Sequence, residues 1–315
     1  MLSLLLSLVE CTYYMPFEEK SFLSWMRNTN QFYVGNEYQL RFGIFLSNAR
    51  YVQEHNAGDS KFTVSLNKFA ALTPSEYKVM LGYKTGMKAE KVSRGMKKPN
   101  VDSIDWREKG VVNEIKDQAA CGSCWAFSAI QAAESAYAIS TGTLESYSEQ
   151  NLVDCVQGCY GCSGGLMDYA YKYIIDRQKG KMILESDYVY TALDGVCKFA
   201  QFQTVGNVAS FLYIAENDEE DLAANVETHG PVAVAIDASH QSFQLYKSGI
   251  YDEPECSATF LNHGVGCIGF GSDNDTKYWI VRNSWGLTWG EEGYIRIIRK
   301  DNRCGIAASA CFPLA

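Results

Sequence analysis

The chain has 315 residues, 47% of them hydrophobic, and a net charge of −9 at pH 7. That is length for roughly two domains with real cores, and the acidic balance argues against a nucleic-acid-binding surface. Its eleven cysteines are too many for an ordinary cytosolic enzyme. They point to an oxidising compartment and several disulfides, and their odd number leaves at least one thiol unpaired or paired with another chain.

The first residues, Met-Leu-Ser-Leu-Leu-Leu-Ser-Leu-Val-Glu-Cys, form a short apolar run without a basic start or a clear small-residue cleavage site. The run reads as a minimal signal peptide over residues 1–11, because the cysteine content requires export; the other reading is the tail of a buried helix. No other stretch is long and apolar enough to span a bilayer.

From Phe17 to about Lys98 the chain is charged, aromatic and free of cysteine. Glu37, Arg41, Phe45, Asn48, Val52 and Asn56 recur at spacings of three and four, which puts them on one helical face. Glu37 and Arg41 make an i,i+4 pair. The interleaved stripe of Tyr38, Phe42, Phe45, Ala49 and Val52 needs a surface to pack on. Lys84 to Lys98 is basic and patternless and reads as an exposed linker suited to nicking.

Beyond Asn100 the composition changes, and ten of the eleven cysteines lie there. A helix starts at Cys124 and stops at Gly142; Ser148–Cys155 and Gly165–Arg177 read as further helices. The second half reads as strands over Pro231–Asp237, His263–Gly271, Lys277–Arg282 and Gly293–Arg299. The acidic run Glu216–Asp221 suits a helix N-terminus better than a metal site.

The pair Cys121-Gly-Ser-Cys124 admits a redox dithiol, half a zinc site, part of a disulfide framework, or a nucleophile. At the first turn of a helix the Cys124 thiol should ionise more easily. A nucleophilic thiolate needs a base, and of the four histidines His263 opens a glycine-rich strand that can hold it rigidly. Asn283, in Asn-Ser-Trp-Gly, can orient the imidazole, with Trp285 shielding that hydrogen bond from water. Gln118 and the Cys124 N–H can donate to a developing oxyanion.

In the order Gln118, Cys124, His263, Asn283, Trp285, with the words Cys-Gly-Ser-Cys-Trp, Asn-His-Gly and Asn-Ser-Trp-Gly, the sequence resembles the papain family of cysteine peptidases, most closely its cathepsin L-like branch. The Glu37–Asn56 face matches that branch's propeptide helix, with Val52 where Ile is usual. The resemblance implies an α+β, papain-like two-lobe fold, with a helical lobe, a β-barrel-like lobe and the active-site cleft between them, preceded by a helical propeptide. It implies an inhibitory propeptide over 12–99 and a peptidase domain over 100–315. It also implies endopeptidase activity through a thioester, synthesis as a zymogen, no cofactor or metal, and a secreted or lysosomal/endosomal, monomeric enzyme. The implied partners are protein and peptide substrates, the chain's own propeptide and cystatin-like inhibitors.

The resemblance further implies the disulfides Cys121–Cys162, Cys155–Cys197 and Cys256–Cys304, leaving Cys124 free. Cys11, Cys159, Cys267 and Cys311 have no implied partner; Cys267 and Cys311 read as buried thiols or as a mutual bridge. The implied substrate subsites use Gly164, Gly165, Leu166, Met167, Ala235, Leu261, Trp285 and Ser309, which give an apolar pocket for the residue at P2. Two features depart from the family pattern. The propeptide's Gly-x-Asn-x-Phe-x-Asp motif reads Ser65, Asn67, Phe69, Ala71, so no residue carries the final carboxylate, and Ala119 replaces a usual Gly. Asn274-Asp-Thr is a glycosylation sequon. The rival functions are a thiol oxidoreductase, a structural zinc site through Cys155, Cys159 and Cys162, and an inactive papain-like binding protein.

Overall fold

A computed structural model describes residues 15–84 and 98–315. The run read as a signal, with Cys11, and the body of the expected linker lie outside the described residues. The N-terminal unit contains α1 (Pro16–Asn28), α2 (Gly35–Ala57), β1 (Phe62–Val64) and α3 (Pro74–Val79). Helix α2 buries the stripe expected of it: Phe42 and Phe45 lie 5.1–5.3 Å, ring to ring, from Phe22 of α1. Its polar positions tie down the extended chain that follows. Asn48 donates to the Ala70 carbonyl at 2.7 Å, and Asn56 pairs with the Val64 main chain in both directions.

Arg41 is buried and donates to the Ala71 carbonyl at 3.0 Å and to both oxygens of Glu76 at 2.5 Å. Glu76, with Glu37 at 3.4 Å, supplies the carboxylates that pair with Arg41. Its hydrogen bond to Arg41 lowers its pKa from 4.5 to about 2. A carboxyl depressed in the folded state contributes stability that is full above the unfolded value and lost as pH falls through the folded one. We expect the N-terminal unit to weaken from about pH 4.5 toward pH 2, and Glu76→Gln to flatten that slope in an acid titration followed by tryptophan fluorescence. An unchanged slope would remove Glu76 from this role.

After Asn100 come β2 (Ile104–Asp105), α4 (Cys124–Thr141), α5 (Glu149–Cys155), α6 (Met167–Gln178), β3 (Ser210–Tyr213) and α7 (Glu219–His229). Then follow β4 (Val232–Ile236), α8 (Gln241–Gln244), β5 (Tyr246–Tyr251), β6 (His263–Asp273), β7 (Thr276–Arg282), β8 (Tyr294–Ile298) and β9 (Ala310–Leu314). Gly142 ends α4 in the left-handed region at φ 77°. Asp218 caps α7 through two main-chain N–H groups, the role expected of the acidic run.

The strands run β1-β5-β8-β7-β6-β4-β9-β3, with β2 paired to β6. This corrects the barrel-like lobe expected from the sequence: the sheet is open among the described residues. The outer edge of β5 is taken by β1 of the N-terminal unit, and β3 forms the other end of the order, paired to β9. The helical lobe of α4, α5 and α6 shares one buried cluster with Tyr83, Ala233 and Ala235. The N-terminal unit shares the other with the β lobe, where Phe69, Tyr77 and Met80 join Trp285 and Phe243. The N-terminal unit therefore bridges both lobes and builds its own burial out of theirs.

Candidate active site

The three disulfides form as expected, Cys121–Cys162, Cys155–Cys197 and Cys256–Cys304. Cys121 is therefore unavailable for a dithiol with Cys124, which corrects the oxidoreductase reading. Cys155 and Cys162 are likewise bridged, which corrects the zinc reading. Cys267 and Cys311 are free and pair with Val232 and Ala233 on opposite edges of β4. A whole strand lies between them, about 10 Å of separation and beyond disulfide reach, so they do not bridge each other.

Cys124 begins α4 and is fully buried. Its Sγ accepts the Gly264 N–H at 3.3 Å. Gly264 has to be small: a Cβ there would meet Cys124 and Trp125 main chain at 3.2 Å. This close approach, which the glycine-rich strand predicts, brings the start of β6 against the start of α4. His263 therefore lies beside the thiol. Its Nε2 donates to Asn283 Oδ1 at 2.8 Å. That bond fixes the tautomer and leaves Nδ1, which has no hydrogen-bond partner among the described residues, as the basic nitrogen. The Trp285 ring covers the imidazole, 4.7 Å between centroids.

Gln118 closes the constellation. Its Oε1 accepts from Ser284 Oγ at 2.6 Å, so the amide N–H group points the other way, to the Cys121 carbonyl at 2.8 Å and the Met80 carbonyl at 2.9 Å. Ser284 is a residue the sequence reading missed; its position between Asn283 and Trp285 was the available signal. Met80 belongs to the N-terminal unit, so a main-chain carbonyl of that unit occupies the Gln118 donor.

The same segment fills the rest of the cleft. Gly165 N–H donates to the Gly82 carbonyl at 2.8 Å, and Lys84 N–H donates to the Gly165 carbonyl at 3.1 Å. Tyr83 N–H donates to the Asn262 carbonyl at 3.0 Å, and its hydroxyl meets Ser309 Oγ at 2.7 Å. Tyr83 belongs to one buried cluster with Leu166, Met167 and Ala235, with Leu261 packed against it. Phe69 and Tyr77 stand edge-on to Trp285, at 5.2 and 5.7 Å. Met80, Gly82 and Tyr83 carried no periodic signal, and nothing in the sequence reading picked them out.

Burial under this segment raises the Cys124 thiol to about 11, against the opposing hydrogen bonds of Gly264 and Gly82, and depresses His263 to about 4. Both shifts favour the neutral forms.

A fold of this kind, with a cysteine at a helix start, a histidine opening one strand and an asparagine just past the end of its neighbour, and a cleft filled by its own N-terminal unit, is that of a cysteine protease precursor. Residues 100–314 match the papain family cysteine protease, and residues 22–77 the cathepsin propeptide inhibitor domain. The chain belongs to the papain family of cysteine proteases and carries its inhibitory propeptide. It is 41% identical to human cathepsin L2 over 303 residues, covering 92% of this chain and 90% of that protein. It is 43% identical to mouse procathepsin L over 306 residues, with the same coverage. Among solved structures, procathepsin L 3 from Tenebrio molitor larval midgut superposes with a TM-score of 0.88 at 36% identity, covering 96% of this chain and all of that one. The cathepsin L-like resemblance read from the sequence is thereby established, as are the hydrolase activity and the zymogen organisation. Among the described residues no helix is long and apolar enough to cross a membrane.

Proposed function

We propose that Cys124 attacks the scissile carbonyl as a thiolate, with His263 as general base and later general acid. The thiol proton passes to His263 Nδ1. The thiolate adds to the carbonyl carbon, and the oxyanion is met by Gln118 Nε2 and the Cys124 N–H. His263 then gives its proton to the leaving amine, and water releases the thioester. Asn283 holds the imidazole turned throughout, and Ser284 holds Gln118. One observation carries this reading: a peptide carbonyl, that of Met80, already lies at 2.9 Å on the Gln118 amide.

Uncovering the cleft relieves the desolvation of both groups, so the proton moves from thiol to imidazole. The pair then holds one proton before and after, and contributes no pH dependence to uncovering while both states hold that single proton. Acid sensitivity of the latent chain falls instead to carboxylates such as Glu76.

The proposed subsites follow the sequence expectation. Gly164 and Gly165 hold the substrate as an extended strand, Trp285 lines the primed side once Phe69 and Tyr77 leave it, and Leu166, Met167, Ala235, Leu261 and Ser309 form the P2 pocket. The neighbouring Asp168 carboxylate is already engaged by Tyr213 Oη at 2.9 Å and the Tyr169 N–H. It leaves a buried Arg without a free partner, so Leu, Phe and Tyr are favoured there. Residues 1–11 act as the export signal and 12–99 as the propeptide, and the enzyme works outside the cell or in lysosomes or endosomes as a monomer. Cystatin-like proteins are its expected inhibitors. The peptidase domain is anchored from its first residue, since the Asn100 N–H donates to Glu227 at 2.7 Å.

The test is to acidify the purified full chain, follow hydrolysis of a Phe-Arg or Leu-Arg fluorogenic peptide, and sequence the N-terminus of the active species. Activity should appear with cleavage between about Lys91 and Asp102. An active species that keeps Glu37–Asn56 covalently attached would contradict it.

A further inference from the structure

We infer that the Ser309 hydroxyl makes the P2 pocket select tyrosine over phenylalanine; this rests on the pocket assignment proposed above. The observation is the chain's own occupant. Tyr83 is 7% exposed, and Ser309 Oγ, at 2.7 Å, is the only hydrogen-bond partner of its hydroxyl among the described residues. A hydroxyl buried without a partner would carry its full desolvation cost, so the pocket that accepts this ring also supplies the group its hydroxyl needs.

The surroundings show that Ser309 is the residue positioned for this. Leu166, Met167 and Ala235, which share Tyr83's buried cluster, and Leu261, which packs against it, have apolar side chains that offer a hydroxyl no partner. Ser309 itself is fixed by its main chain, whose carbonyl accepts the Ala235 N–H at 2.9 Å, so its side chain is presented from the end of a strand ladder. Burial raises the Tyr83 phenol to about 12. It therefore stays a neutral hydroxyl under any working condition, and the pair is an ordinary hydroxyl–hydroxyl bond with no charge to titrate. A phenylalanine ring fits the same walls but leaves Ser309 Oγ facing carbon. A site that hydrogen-bonds a substrate hydroxyl discriminates against the analogue lacking it.

The experiment uses acid-matured enzyme and three fluorogenic dipeptides with Arg at the cleaved position and Tyr, Phe or Arg at P2. Wild-type enzyme and Ser309→Ala are compared by the Tyr-to-Phe ratio of kcat/KM within each enzyme, so that overall rate cancels. We expect a ratio of about five in the wild type, as for one neutral hydrogen bond, falling to about one in Ser309→Ala. A wild-type ratio of one or less, or a ratio that Ser309→Ala leaves unchanged, overturns the inference while leaving the apolar pocket standing. Arg faster than Phe in the wild type overturns the pocket assignment itself, and the inference with it.

Discussion

Cys124→Ser should fold as the wild-type chain does and lose hydrolysis by a factor on the order of 10⁵. The fold survives because Cys124 takes part in no disulfide and the replacement keeps a small side chain at the start of α4. The activity does not survive, because a hydroxyl beside His263 is a far weaker nucleophile than a thiolate stabilised by a helix start and an imidazolium. Unchanged thermal unfolding with less than a trace of peptide hydrolysis is the expected pair of measurements. More than a trace of turnover in a pure preparation would mean that another group does the chemistry. Gln118→Ala should cost about a hundredfold, as for one oxyanion donor, and full turnover in that variant would take Gln118 out of the mechanism.

Gly82→Ala should give a chain that is no longer latent while still uncut. Gly82 passes so close to Gly122 that a Cβ would lie 1.7 Å from the Gly122 carbonyl oxygen and 2.3 Å from its carbon. Both obstacles are main chain, so no rotamer relieves the clash. Nor is Gly122 free to withdraw: its N–H donates to the Cys162 carbonyl at 2.8 Å, and Cys162 is bridged to the adjacent Cys121. The segment must lift, and with it the Met80 carbonyl leaves Gln118 and Tyr83 leaves Ser309. Overpacking of this kind costs about 1–3 kcal/mol, or roughly 5- to 160-fold in the population of uncovered cleft. Alkylation of Cys124 at neutral pH, on a chain shown by gel to be intact, should accelerate by that factor. An intact Gly82→Ala chain that alkylates no faster than wild type would show that this contact does not maintain latency.

The residues we propose for the chemistry were readable because each needs a local word: a helix start for Cys124, a glycine-rich strand for His263, a strand end for Asn283. The propeptide helix was readable because burying one face imposes a period on it, and Phe42, Phe45 and Asn48 are buried as that period requires. The blocking segment was not readable. Met80, Gly82 and Tyr83 lie in an extended stretch whose meaning comes only from the surface it docks on, and a lone glycine there looks like a turn. The role of Glu76 was hidden for the same reason. Its partner, Arg41, is 35 residues away, and the missing carboxylate at Ala71 drew attention to the wrong position. The open sheet could not be foreseen either, because strand order and edge pairing are long-range contacts that local sequence patterns do not encode. The disulfide pairings came from family resemblance alone, since six cysteines at these spacings admit many connectivities.

We propose that one thiol, Cys124, does the chemistry and is kept covered until the N-terminal unit leaves. It is tested most directly by treating the chain with an epoxide- or diazomethyl-type thiol probe before and after acid maturation and mapping the modified residue by mass spectrometry. The account predicts that the intact chain is labelled at neutral pH far more slowly than the matured enzyme, and that Cys124 is the single labelled residue in the matured enzyme, with Cys159, Cys267 and Cys311 untouched. Labelling of Cys121, labelling of a free cysteine other than Cys124, or no labelling of the matured enzyme would contradict it.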